Sequence, residues 1–336
     1  MENELPTVTI IVPTKPGQAE IQSVNAARRL DYPRDKMEII VARGRHPSIQ
    51  RNHALRAATG EIIYFLDDDA QPVPDALRRA AQHFSAPEVQ MVGGPNLCPD
   101  DAPLLEKIFA VVLGSWIAFG PSRARYDRVG TVRATGEKEL ILCNLLARRA
   151  VMLELGGFDE SLYPNEENAL MDALQQRGGK LIYDPDIVAH RRPRSTLRAF
   201  CKMLMTYGRG RAEQFRLHPT FGSVMNLVPP VFVLCLFLIP LWVWLGWFHA
   251  SQTITRPRGL SFHIGIGWLP LVAYVFVLLS QTILNLRHGI VRACCALPLL
   301  FATHFFYGLG FWHGLFKRVN QAHPAPVEVL LERMPA

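Results

Sequence analysis

Three long uncharged runs constrain this chain more than any other feature. Val224–Phe248 ("VMNLVPPVFVLCLFLIPLWVWLGWF") holds no charged residue, and His263–Leu286 and Ala293–Phe316 hold none besides histidine. Each is 24 or 25 residues long. A bilayer core needs roughly 20 apolar helical residues at about 1.5 Å each. The reading is three membrane-embedded helices, with Pro229, Pro230 and Pro240 placed to kink the first or make it re-entrant. Buried helices of a soluble domain are the alternative, disfavoured because three such runs follow in succession.

The remainder is a mixed, charge-bearing segment. Its N-terminus, "MENELPTVTIIVP", has neither a basic start nor a long apolar stretch, so the expectation is no secretory signal and a large domain left in the cytoplasm. Loop charges give this orientation weak support: Arg287 and Arg292 flank the second loop, whereas Arg256, Arg258, Lys317 and Arg318 fall in segments that would lie outside. The six cysteines (98, 143, 201, 235, 294 and 295) show no metal-ligand spacing and read as packing residues.

Over the first 95 residues, strands alternate with helices. "TVTIIVP", "MEIIVA", "EIIYFLD" and "VQMVGGP" are short β-branched runs. Between them "AEIQSVNAARRL", "SIQRNHALRAATG" and "PDALRRAAQHF" carry helical spacing. Near-continuous apolar strands joined by helices imply a parallel sheet covered on both faces, which binds ligands beyond the carboxyl ends of its strands. Asp67, Asp68 and Asp69 sit at such an end, in a chain whose net charge is +7. Carboxylates there suit a divalent cation, Mg²⁺ or Mn²⁺, shared with a diphosphate. The bland alternative is a solvated turn capping the next helix.

The excess positive charge is concentrated in one place. From Arg191 to His218, eight Arg and Lys side chains face Glu213 alone, a net of +7. Leu197, Phe200, Leu204 and Tyr207 recur at helical spacing, so this segment reads as a basic amphipathic helix lying against anionic headgroups. Nucleic acid is not an expected partner, because no recognisable binding motif accompanies the charge. Residues 104–119 form a shorter apolar stretch carrying Glu106 and Lys107. It reads as a core helix, or as a surface element dipping toward the membrane, followed by a polar, flexible loop at 119–140.

"TIIVPTK", "EIIVA", "QRNHALRAATGEIIYFLDDDAQP", "GGFDESLYPNEENALMDALQQRGGKLIYDPDIVAHRR" and "YGRGRAEQ", in that order, resemble a bacterial family 2 glycosyltransferase over residues 5–215. The resemblance implies an α/β, Rossmann-like GT-A domain over 1–190, then the basic interfacial segment at 191–220, transmembrane helices within 221–318 and a tail at 319–336. It implies a nucleotide-sugar donor, a divalent metal (Mn²⁺ or Mg²⁺) and inversion at the anomeric carbon. Asp69 and Asp67 would be the metal-binding pair, with Asp67 nearer the ribose and His190 joining the metal or donor site. Pro13, Thr14 and Arg51 would line the donor crevice. Arg51 would reach a phosphate or Asp67, or else be a solvated helix residue. Arg209 and Arg211 would contact a donor or lipid phosphate.

An inverting transfer needs a base for the acceptor hydroxyl. Where the family usually has Glu-Asp, this chain has Glu166-Glu167, either of which could serve, with Glu167 at the position of the usual base. Asp159, in the loop before them, would be structural or face the acceptor. A second departure is in strand two, where the acid that reads the nucleobase is missing and Arg43, Arg45 and His46 stand instead. A UDP-sugar is therefore a default. The implied function is single-sugar transfer to a lipid-linked (polyprenyl-diphosphate) saccharide at the cytoplasmic face of a bacterial inner membrane. Alternatives are a polyprenyl-phosphate sugar synthase and a non-catalytic membrane scaffold.

Overall fold

The structure is a computed structural model and describes residues 4–162, 165–217, 226–252, 257–317 and 328–336. Residues 224–225 of the first expected span, Arg256, Arg318 and 319–327 of the expected tail lie outside the described residues. The chain forms two compact units: Met1–Gly114, Phe119–Ser195 and Arg318–Ala336 in one, Ser115–Ala118 and Thr196–Lys317 in the other.

The first unit is built on strands β1 (Val8–Thr14), β2 (Met37–Arg43), β3 (Ile62–Leu66), β4 (Gln71–Pro72), β5 (Val89–Gly93), β6 (Asn96–Leu97), β7 (Arg133–Thr135), β8 (Asn144–Arg148), β9 (Lys180–Tyr183), β10 (Ala189–His190) and β11 (Leu330–Met334). Its main sheet runs β11-β2-β1-β3-β8-β5-β9-β7, and a small sheet runs β4-β10-β6. The expected parallel core is present, β1 lying parallel to both β2 and β3. The sheet as a whole is mixed, because β8 inserts antiparallel between β3 and β5.

Helices α1 (Gln22–Ala27), α2 (Pro47–Ala57), α3 (Ala76–His83), α4 (Leu104–Leu113), α5 (Trp116–Phe119), α6 (Arg149–Glu154) and α7 (Glu166–Gln176) follow in chain order. Side chains alternate across a strand, so β1 feeds two cores. Ile10 and Val12 pack with Val24 of α1 and Leu77 of α3. Ile11 packs on the other face with Leu55 of α2, Met152 of α6 and Met171 of α7. The apolar stretch at 104–113 is largely a core helix: Phe109 and Val112 are fully buried, while Leu104 and Leu105 face outward.

The loop and the tail carry more structure than their sequences suggest. The loop at 119–140 contains a 3-10 turn over Gly120–Arg125 and strand β7. Arg133 donates to both oxygens of Glu139 at 3.1 and 2.8 Å and lies 4.4 Å over the Tyr183 ring. The described end of the tail is not a tail but β11, paired antiparallel with β2 from Leu330 opposite Arg43 to Met334 opposite Ile39. Leu331 packs into one core and Met334 into the other.

The second unit contains helices α8 (Leu197–Leu217), α9 (Val228–Gln252), α10 (Pro257–Asn285) and α11 (Ile290–Phe316). Among the described residues, two stretches, Leu271–His288 and Ile290–Phe316, are long and apolar enough to cross a membrane. A third is added if the bent pair Leu104–Leu113 and Trp116–Arg125 counts as one span. The first expected span falls on α9, where the apolar stretch among the described residues, Val228–Leu241, is shorter than those two. Helix α8 packs tightly on α11: a Cβ on Gly208 would stand 2.0 Å from the Tyr307 carbonyl oxygen. Close helix packing is thus a reason for glycine at position 208 of the "YGRG" segment.

Candidate active site

Strand β3 brings five buried apolar residues to the sheet's edge and releases the chain into Asp67–Asp69. Two arginines meet these carboxylates. Arg51, from the buried face of α2, donates through Nη2 to Asp67 Oδ1 at 2.8 Å and through Nη1 to Glu166 Oε1 at 3.2 Å. Arg191, just after β10, donates through Nε to Asp69 Oδ1 at 2.6 Å and places Nη2 3.1 Å from Asp67 Oδ2. The result is an alternating row of acids and arginines, Glu166–Arg51–Asp67–Arg191–Asp69. Burial alone would raise the Asp67 carboxyl pKa, but Arg191 and Arg51 outweigh it and hold the group below the usual carboxylate range.

The acid pair is fixed from the other side. Asn52, next to Arg51, donates to the Phe158 carbonyl and accepts from the Phe158 amide, both at 2.8 Å, clamping the loop that leads to α7. Gly157 in that loop has φ +83, and a Cβ there would lie 2.4 Å from Asn52 Oδ1, so both conformation and space call for glycine. Asn165 precedes α7 in the left-handed region, φ 100, a conformation asparagine tolerates better than most residues. Its amide oxygen accepts from Asn168 at 2.9 Å. Arg125 then donates to Asn168 Oδ1 at 2.6 Å and lies 3.9 Å from Glu167 Oε1.

The two glutamates thus differ in surroundings. Glu166 is buried, and burial, followed by the charge of Glu167, pushes its carboxyl up to about 8 against the opposing pull of Arg51. Glu167, on the same first turn, is partly open, its side chain 14% exposed. Asp159 accepts from the amide and hydroxyl of Ser161 at 2.9 and 2.6 Å, which gives it a turn-forming role.

Other expected site residues are distributed as follows. Pro13 and Thr14 end β1, where the Thr14 hydroxyl donates to Gln18 at 2.9 Å. His190 pairs with Gln71 across the small sheet. Among the described residues no three His, Cys, Asp or Glu side chains converge on a metal position, so Asp67, Asp69 and His190 do not form a ready three-ligand set. Two carboxylate oxygens remain a suitable donor set for a hard cation that takes its other ligands from a diphosphate and water. Arg209 and Arg211 lie on α8 in the second unit, beside Glu213 at 3.5 Å and Gln214 at 3.1 Å respectively. The roles of Arg191 and Arg125 were not assigned from sequence. The only signal was the "HRR" that follows an apolar strand, read there as membrane-seeking charge.

Residues 20–134 match the profile of the family described as Glycosyl transferase family 2. A pre-mycofactocin glycosyltransferase of Mycobacterium tuberculosis is 27% identical over 184 residues, which are 52% of this chain and 36% of the relative. This chain therefore matches only about a third of that relative's length. Among solved structures, a mannosyltransferase of Pyrobaculum calidifontis in complex with GDP-Man and Mn²⁺ aligns with TM-score 0.50 and 19% identity, covering 90% of this chain and 86% of that one. S. aureus TarS 1–349 in complex with UDP aligns with TM-score 0.43 and 12% identity, over 92% of this chain and 90% of that one.

Proposed function

We propose that this chain, which carries a family 2 glycosyltransferase domain of GT-A fold, moves one sugar from a nucleotide-diphosphate sugar to a lipid-linked saccharide, inverting the anomeric carbon. The observation behind this reading is the continuous row of hydrogen-bonded acids and arginines that ties the carboxylates at the end of β3 to the acid pair opening α7. Transfer needs both: a place for the departing diphosphate and an acid pair to receive the acceptor's proton.

In this reading Asp67 and Asp69 orient the donor's diphosphate; these two, with His190 as a further candidate, would hold a divalent cation, which would supply Lewis-acid stabilisation of the leaving group. Glu167, the more open of the pair, accepts the proton of the attacking hydroxyl. Glu166 touches Arg51 and serves as a positioning residue. Arg51 keeps the donor carboxylates and α7 in one register, and Arg125 braces α7 from its far side. The neighbouring mannosyltransferase was solved with GDP-Man and Mn²⁺, which supports a nucleotide sugar and a divalent ion as this chain's ligands.

Membrane attachment fits the second unit. Phe276, Ile283, Leu284 and Phe316 are exposed on α10 and α11, apolar surface of the kind that marks a membrane or protein contact. A sugar acceptor carried by lipid would be delivered to such a protein at the bilayer surface. The test is release of nucleoside diphosphate from labelled nucleotide sugars in the presence of membrane lipid extract. Native protein should release it with label appearing in lipid, and Glu167→Gln should lower turnover by 10²-fold or more. Equal turnover by Glu167→Gln would remove it from the role of base.

A further inference from the structure

A cavity of ≈ 410 Å³ lies in the first unit, lined by Pro16 and Gly17 after β1, Arg43, Arg45 and His46 at and beyond the end of β2, and Glu328 and Leu330 beside β11. The chemistry above does not use it. Its position is informative. The strand order is β2-β1-β3, and neighbouring strands lie 4.7–4.9 Å apart, so the end of β2 is roughly 10 Å along the sheet edge from the end of β3. That is the order of distance a ribosyl diphosphate spans. A donor held by its phosphates at Asp67 and Asp69, and extended along the carboxyl ends of the parallel strands, carries its base into this cavity.

The C-terminal strand makes the cavity's outer wall. Arg43 is tied to it by a 2.7 Å bond from Nε to Glu332 Oε1, and to the β1 loop by a 2.8 Å bond from Nη1 to the Gln18 carbonyl. Strand β2 ends in arginine and offers no acid of its own to a base. Glu328 returns a carboxylate to the same space from a segment some 285 residues further along the chain. Arg45 and His46 supply hydrogen-bond donors beside it.

We propose that the C-terminal strand completes a nucleobase pocket, in which Glu328 accepts a hydrogen bond from a ring N–H and the adjoining basic side chains donate to the neighbouring carbonyl oxygen. Uracil, thymine and guanine present that pair of groups; adenine and cytosine do not. The inference rests on the donor reading above. It makes β11 part of the donor site and puts the base-reading acid just before that strand, where the end of β2 lacks one.

The test is calorimetric titration of the full-length protein in detergent with UDP, dTDP, GDP, CDP and ADP, and with pyrophosphate, each with Mn²⁺. Native protein should bind one of the first three most tightly. Glu328→Ala should weaken that nucleotide about tenfold or more and leave pyrophosphate unchanged. Leu330→Trp, which fills the cavity from an exposed strand position, should do the same. Undiminished nucleotide binding by both variants, or tightest native binding of CDP or ADP, would overturn the pocket. If native protein binds pyrophosphate but no nucleotide better, the pocket fails alone; if it binds neither, the donor reading falls with it.

Discussion

Arg51 donates to Asp67 with one arm of its guanidinium and to Glu166 with the other, and is itself 5% exposed. Removing it leaves Glu166 without its cationic partner and Asp67 with Arg191 alone. Arg51→Met should therefore lower stability by about 3–5 kcal/mol, the usual cost of breaking a buried ion pair from one side, as read by denaturant unfolding. A loss below about 1 kcal/mol would contradict the buried network. Glu166 supplies a pH signature. Its carboxyl is raised to about 8 in the folded protein, so the folded state holds a proton that the unfolded chain has released at its ordinary carboxylate pKa. The stability linked to that proton is complete below the unfolded pKa and is lost as pH rises through about 8. Glu166→Gln mimics the protonated form. Its melting temperature relative to native protein should climb from pH 5 to pH 9, and a difference independent of pH would refute the assignment.

Among the elements, α8 and α11 meet at three glycines, Gly208, Gly310 and Gly314. With a Cβ on Gly208 only 2.0 Å from the Tyr307 carbonyl, Gly208→Ala must push the helices apart and should cost about 1–3 kcal/mol. Thermal unfolding of the detergent-solubilised protein would show it; an unchanged midpoint would contradict the packing. Much of this level was legible in sequence. The β-branched runs "TVTIIVP", "MEIIVA" and "EIIYFLD", punctuated by Pro and Gly, appear as β1, β2 and β3, and α2 and α3 lie where the spacing placed them. The carboxylates at the strand end were legible for the same reason. Two things were not. Strand β8 sits antiparallel between β3 and β5, and a run's own residues do not encode which neighbour it pairs with. Arg191 meets Asp69 across 122 positions, a proximity that only the folded chain creates. Strand β11 is hidden for another reason: "EVLLERM" holds one β-branched residue, and its strand conformation comes from pairing with β2 some 290 residues earlier.

At the scale of the whole molecule, a charged α/β unit and a unit of apolar helices share one chain, and the chain returns from the last helix to close the sheet edge at β2. Outward-facing Phe276, Ile283, Leu284 and Phe316 should hold the protein in membranes through an alkaline carbonate wash, whereas release would leave only a peripheral association. In the proposed function, the carboxylates ending β3 receive a nucleoside diphosphate together with a divalent cation. Thermal stability of native protein and Asp69→Asn, measured across nucleoside diphosphates with and without Mn²⁺, tests it most directly. At a hundred times Kd, binding adds about 2.7 kcal/mol, a readily measured shift. The expected result is stabilisation by one class of nucleotide that requires both Mn²⁺ and Asp69. Stabilisation that survives Asp69→Asn or the omission of Mn²⁺, or no stabilisation by any nucleotide, would contradict the assignment.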